Sequence, residues 1–171
     1  MLMIKTKLGY SKTHGIGLFA DQVIPKGTIT WRFMPGLDCL VPEDILLQLS
    51  EPARAIFLNY CYLDKYTKHF ILCFDDERFI NHSEDPNIIQ SQVESEIEGI
   101  EIAARDIQEG EELFCDYYSF DFDAHRKLNK LDIYSYTIKD DTERGKKRNE
   151  FIERLFVLNA VYEDERKRHK K

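Results

Sequence analysis

The residues of this 171-residue chain best suited to chemistry fall in three short runs, far apart in sequence. Arg78–Asn87 reads RFINHSEDPN, Gly15–Ala20 reads GIGLFA, and Glu111–Tyr117 reads EELFCDY. Asn81 brings an amide that both donates and accepts, and His82 brings an imidazole. Gly15 and Gly17 flank Ile16, so backbone can approach a ligand closely with amides and carbonyls exposed. Tyr117 brings a phenol able to orient a nucleophile or stabilise developing charge. Each run also has a plainer reading. The glycines suit a tight turn, and no third glycine or helical pattern follows as a dinucleotide fold requires. His82 suits an ordinary hydrogen-bonded histidine in a polar loop that turns at Asp85-Pro86-Asn87. Tyr117, among Tyr118, Phe120 and Phe122, suits core packing. In this order, the three point to a cofactor site assembled from remote segments.

The elements that must position them are mostly strands. Ile4–Leu8, Gly17–Ala20 and Thr28–Phe33 are β-prone, with a turn at Pro25-Lys26-Gly27. Residues 42–62 change to a helical period. Pro42-Glu43-Asp44 starts one helix carrying Ile45, Leu46 and Leu49. Ser50-Glu51-Pro52 starts a second, with Ser50 as cap and Ile56, Phe57 and Tyr60 on one side. Strand character returns at His69–Phe74, Ile88–Val93 and Ile100–Ala104, with a turn at Glu94–Gly99. Gln108-Glu109-Gly110 then separates Ile107 from Leu113–Tyr118, as in a hairpin. From Asp121 the chain becomes charged and helical. Phe151, Ile152, Leu155, Phe156 and Leu158 predict an amphipathic helix over 149–165. The basic tail 166–171 suits a frayed end better than a nuclear import signal.

The totals narrow the class. The length suits one core with a small appendage, and 43% hydrophobic residues suit a globular chain. No apolar run approaches a bilayer-spanning length. The N-terminus lacks a basic head and apolar core, so an intracellular setting, cytoplasmic or nuclear, is expected. Asn81-His82-Ser83 matches a glycosylation pattern that this setting leaves unused. Cys39, Cys61, Cys73 and Cys115 are widely spaced, so no metal site is expected. Residues 1–122 hold 10 basic and 21 acidic residues, a charge of −11, whereas 123–171 carry +4. An acidic body repels nucleic acid and attracts basic partners, although it equally serves solubility.

Taken together the motifs resemble the SET-domain family of protein-lysine methyltransferases, in a short form without its zinc-binding cysteine clusters. The likeness runs over residues 4–122: the GxG, Ile24-Pro25-Lys26-Gly27, the NHS segment, Ala104-Arg105-Asp106-Ile107, then GEEL and DY ending at Tyr117. It implies a mainly β fold with α, in several short twisted sheets, with a knot-like crossing of the NHS segment and the segment reaching Tyr117. A SET domain would span 1–122, with the helical insert about 42–62. A charged helical extension over 123–171 would pack on or close the substrate channel. S-adenosylmethionine would be held by Gly15, Ile16, Gly17, Asn81, His82 and Tyr117. Tyr117 would be catalytic, placed where the target lysine meets the methyl group. Cys115 and Phe120 would line the lysine channel, with Phe122, Tyr134 and Tyr136 as further lids. Cys115 stands where the family often has Phe or Tyr, which implies room for more than one methyl. Glu84 replaces a cysteine common in the NHS segment. The implied activity is methyl transfer to a lysine of a basic protein, histone-like or ribosomal, without membrane or direct nucleic-acid binding. Alternatives are a catalytically inactive SET module that binds a protein partner, and a β-rich protein sharing only the fold.

Overall fold

In a computed structural model, residues 1–65, 69–93 and 98–128 are described. The strands are β1 (Thr6–Tyr10), β2 (Ile16–Ala20), β3 (Ile29–Arg32), β4 (Cys39–Val41), β5 (Tyr62–Leu63), β6 (Phe70–Leu72), β7 (Asn81–His82), β8 (Ile88–Ser91), β9 (Ile100–Ala103) and β10 (Phe114–Cys115). Helices α1 (Glu43–Gln48) and α2 (Glu51–Tyr60) form the insert, and α3 (Tyr117–Phe120) and α4 (Ala124–Leu128) follow β10. The protein is therefore mainly β, in small sheets. These are the antiparallel pair β1–β2, two three-stranded sheets ordered β3-β9-β8 and β4-β6-β5, and the parallel pair β7–β10. The expected helix over 149–165, the aromatics Tyr134 and Tyr136, and the basic tail lie outside the described residues.

Non-local pairing decides where the site forms. Gln108-Glu109-Gly110 does turn the chain, with Gly110 at φ 84° and Glu111 N–H donating to the Gln108 carbonyl. The flanks do not pair as the expected hairpin, however. Ile107 exchanges backbone hydrogen bonds with Ile24, and Leu113 N–H donates to the Leu18 carbonyl. All four side chains are fully buried in one cluster with Ile88, Cys115 and Phe120. Each buried Leu or Ile contributes roughly 1.5–3 kcal/mol. Joining that cluster therefore outweighs a local ribbon. The strand expected over 113–118 shortens to β10, which runs parallel to β7 with Phe114 opposite Asn81 and Cys115 opposite His82. Tyr117 instead opens a helical turn, because the Asp116 carboxylate accepts the Tyr118 N–H at 3.0 Å and caps it.

The insert differs from expectation in its buried face. Ser50 occupies the N-cap of α2 without a side-chain bond. Leu58 is 1% exposed, whereas Ile56 is 63% exposed. Leu58 packs with Leu46, Leu63 and Phe70, while Phe57 lies partly buried at the edge of that cluster. The insert thus has its own small core against β5 and β6.

Candidate active site

Two glycines shape the first wall for different reasons. Gly15 has φ 53°, a left-handed conformation costly for other residues, and a Cβ there would meet open space. At Gly17 a Cβ would sit 2.2 Å from Glu112 Oε1. Gly17 is therefore required by close approach and Gly15 by backbone shape. Asn81 ties this wall to β7. Its Nδ2 lies 3.1 Å from the His14 carbonyl, 3.2 Å from the Ile16 carbonyl and 3.1 Å from Glu112 Oε1. Two amide protons shared by three acceptors hold all three segments in one corner. Asn87, fully buried, braces the far side: its Oδ1 accepts from Phe114 N–H and its Nδ2 donates to the Glu112 carbonyl, both at 2.8 Å.

His82 connects this corner to Tyr117. Its Nδ1 accepts the Tyr117 N–H at 3.2 Å, which fits the neutral tautomer protonated at Nε2. Its ring lies 5.4 Å from the Tyr117 ring and 5.5 Å from that of Tyr118. The Tyr117 hydroxyl donates to the Ile80 carbonyl at 2.6 Å. Burial pushes this phenol well above the ordinary value near 10, and nearby acidic groups push the same way. Tyr117 is thus a neutral donor whose proton is committed, with oxygen lone pairs left to accept.

Tyr117 and Ile80 line a small pocket open to solvent. Trp31, Tyr62, Cys73 and Phe120 supply apolar wall, and the Tyr62 and Phe120 rings meet edge to face at 5.1 Å. Two buried carboxyls, Glu77 and Glu101, also line it. Both are buried and face the same pocket, so a charge on either raises the cost of ionising the other. Burial pushes Glu77 well up, with the Glu101 charge adding to it. Burial also raises Glu101, to about 7. The remaining charged pair is Asp121 and Lys127, whose Oδ2 and Nζ lie 2.8 Å apart.

The fold thus brings Gly15, Ile16, Gly17, Asn81, His82 and Tyr117 into one continuous region. Phe120 lines the pocket, whereas Cys115 packs in the core outside its lining, with its thiol pushed up by burial. Sequence reasoning missed Glu112, Glu77, Glu101, Asp121 and Lys127. Glu101 had one legible signal: strand alternation places it on the same face as buried Ala103. Glu77 had none, because a single turn of 3₁₀ helix over Asp76–Phe79 turns it inward. Among the described residues, no cluster of three metal-ligating side chains occurs and no helix is long and apolar enough to cross a membrane.

A family model for the SET domain matches residues 15–118, more than half of the chain. No curated protein sequence matches significantly. Among solved structures, the Chaetomium thermophilum Polycomb Repressive Complex 2 bound to GSK126 contains a chain 25% identical. The match has a TM-score of 0.54 and covers 74% of this chain and 17% of that one. The same complex in an autoinhibited conformation bound to S-adenosylmethionine gives 24% identity and a TM-score of 0.53, again covering 74% of this chain and 17% of the other. A Plasmodium falciparum protein described provisionally as a histone methyltransferase is 21% identical, with a TM-score of 0.44, covering 68% of this chain and 95% of its own. The chain spans about a sixth of the length of the Polycomb chains it matches.

Proposed function

The chain belongs to the SET-domain family, and on that premise we propose that it transfers a methyl group from S-adenosylmethionine to the ε-amine of a lysine in a basic protein. The observation that carries this reading is the junction at Tyr117. One neighbour, His82, leads to the Asn81–Gly15 corner, and the phenol itself opens onto the pocket.

The corner fits the methionine end of the cofactor. Residues His14–Ile16 are exposed, and a Cβ at Gly15 would project into open space, so a ligand can approach the chain closely there. Gly15, Ile16, Gly17, Asn81 and His82 would hold it there. When bound, the cofactor supplies an electrophilic methyl group on sulfur. The rest falls to the chain's own residues. Methyl transfer to an amine is an in-line displacement, so positioning dominates. Tyr117, unable to ionise near neutrality, orients the amine through its oxygen and does not act as base. Burial raises both Glu77 and Glu101, so together they carry less than two full charges near neutral pH. That attracts an ammonium without pinning it charged as two carboxylates would. The apolar walls then lower the amine's basicity, and its proton leaves to solvent. The acidic body, at −11 over residues 1–122, suits a basic substrate.

The test is transfer of labelled methyl groups from S-adenosylmethionine to core histones and ribosomal proteins, beside calorimetric titration of the cofactor. Label on lysine is expected. Tyr117→Phe should bind cofactor within a few-fold yet transfer about 100-fold more slowly, since the amine loses its orienting oxygen. Cofactor binding without transfer to any protein would favour the inactive interaction module. Absence of cofactor binding would leave only the fold in common.

A further inference from the structure

A lysine borders the pocket beside Tyr117. Lys127, on α4, is the one lysine among its described lining residues, and its side chain is 16% exposed. Its Nζ lies 5.8 Å from the centre of the Tyr117 ring, donates to the Cys61 carbonyl, and pairs with Asp121 Oδ2 at 2.8 Å. Asp121 is itself fixed: its Oδ1 accepts the N–H groups of Leu63 at 3.2 Å and Asp123 at 2.9 Å. The segment delivering Lys127 is pinned as well. Lys65 N–H donates to the Phe120 carbonyl, and Phe122 N–H donates to the Leu63 carbonyl. A carboxylate, a carbonyl and an aromatic face are together the surroundings that recognise an alkylammonium.

We infer that Lys127 is the resident occupant of the acceptor-lysine pocket and is methylated within its own chain when the methyl donor binds. This rests on the lysine-methyltransferase reading and names a substrate for the same site. The ammonium first leaves Asp121 and the Cys61 carbonyl and loses one proton to solvent. The Nζ lone pair then bonds to the methyl carbon of the sulfonium donor as the carbon–sulfur bond breaks. The electron pair stays on sulfur as a neutral thioether, and Lys127 becomes a methylammonium.

Two measurements on the whole chain test this. Without cofactor, brief acetylation with an N-hydroxysuccinimide ester should modify Lys127 at least about tenfold more slowly than exposed Lys12 and Lys26, given its burial and ion pairing. Labelling at the same rate would show that Lys127 does not reside in the pocket and would overturn the inference. With S-adenosylmethionine, peptide mass mapping should find a methyl group on Lys127, with a first-order rate constant unchanged on tenfold dilution. A rate constant that falls on dilution would mean transfer between molecules and would overturn it. Core histones are included in the same incubation. Label on histones with none on Lys127 overturns this inference while leaving the proposed activity standing. Label on neither removes both.

Discussion

The two halves of the site are built on different physics. The corner at Gly15, Gly17 and Asn81 is held by an amide, backbone carbonyls and close steric approach. The pocket at Tyr117 is lined by buried titratable groups: Glu77, Glu101, Asp121, Lys127 and the phenol. Neutral hydrogen bonds and excluded volume change little with pH, whereas buried carboxyls change stability whenever they exchange protons. The corner should therefore be brittle to single atoms and less responsive to pH than the pocket, its Glu112 carboxylate aside. The pocket should tolerate some reshaping and respond to pH. That division suits the proposed roles, since a cofactor must be held in one pose while a lysine must enter charged and react neutral.

The largest break should come from one methyl group in the corner. Gly17→Ala places a Cβ 2.2 Å from Glu112 Oε1, so the carboxylate must move and its contact with Asn81 is lost. Overpacking of this kind costs about 1–3 kcal/mol. Cofactor affinity should fall by up to about 100-fold, as it would for a loss near 2.7 kcal/mol. Gly15→Ala is the internal control: its Cβ meets open space, and only the left-handed backbone is penalised, by about 1 kcal/mol. Calorimetric titration and thermal melts of the two variants separate steric approach from backbone shape. Equal losses in both would mean that the corner fails for one common reason.

The pocket should answer to pH. Glu101 titrates near 4.5 unfolded and about 7 folded, because burial disfavours its charge. Between these values the folded state holds more protons than the unfolded, so stability falls as pH rises. The contribution is fully present below about 4.5 and is lost as pH passes through about 7, and Glu77 moves in the same direction. Glu101→Gln should flatten this decline, making the variant more stable than wild type by about 3 kcal/mol at pH 8 and by less than about 1 kcal/mol at pH 5. Denaturant melts at the two pH values measure it. A variant with an unchanged slope would mean that Glu101 already ionises freely, and the contrast with the corner would vanish.

How much of this was legible follows the same division. The order of the GxG, NHS and DY motifs carried the fold and the family because each is a local string. The helical period placed α1 and α2, but it could not choose Leu58 over Ile56 as the buried residue, since both are apolar and only β5 and β6 decide which face is covered. The turn at Gly110 was legible and the hairpin was not. Ile107 and Leu113 find Ile24 and Leu18, partners remote in sequence. The glutamates of the pocket were illegible for a related reason. Acidic residues are read as surface, and Glu77 is turned inward only by a single 3₁₀ turn that no sequence pattern announces. The expected lids at Tyr134 and Tyr136 belong to the segment beyond residue 128, outside the described structure.

The finest discrimination between the halves lies at Glu112, an acidic residue within the corner. Its Oε1 accepts from Asn81, and its backbone carbonyl accepts from Asn87. If the corner needs only an acceptor there, Glu112→Gln retains one in the same place. Cofactor affinity should then stay within about twofold and stability within about 0.5–1 kcal/mol, the difference between charged and neutral hydrogen bonds. Glu112→Ala removes the charged acceptor while the His14 and Ile16 carbonyls still serve the Asn81 amide, and should cost about 1.5–3 kcal/mol, the worth of a hydrogen bond to a charged group. Should glutamine prove as damaging as alanine, the negative charge itself would be the requirement. Glu112 would then be a direct partner for the cofactor's ammonium, and the corner, like the pocket, would work by charge.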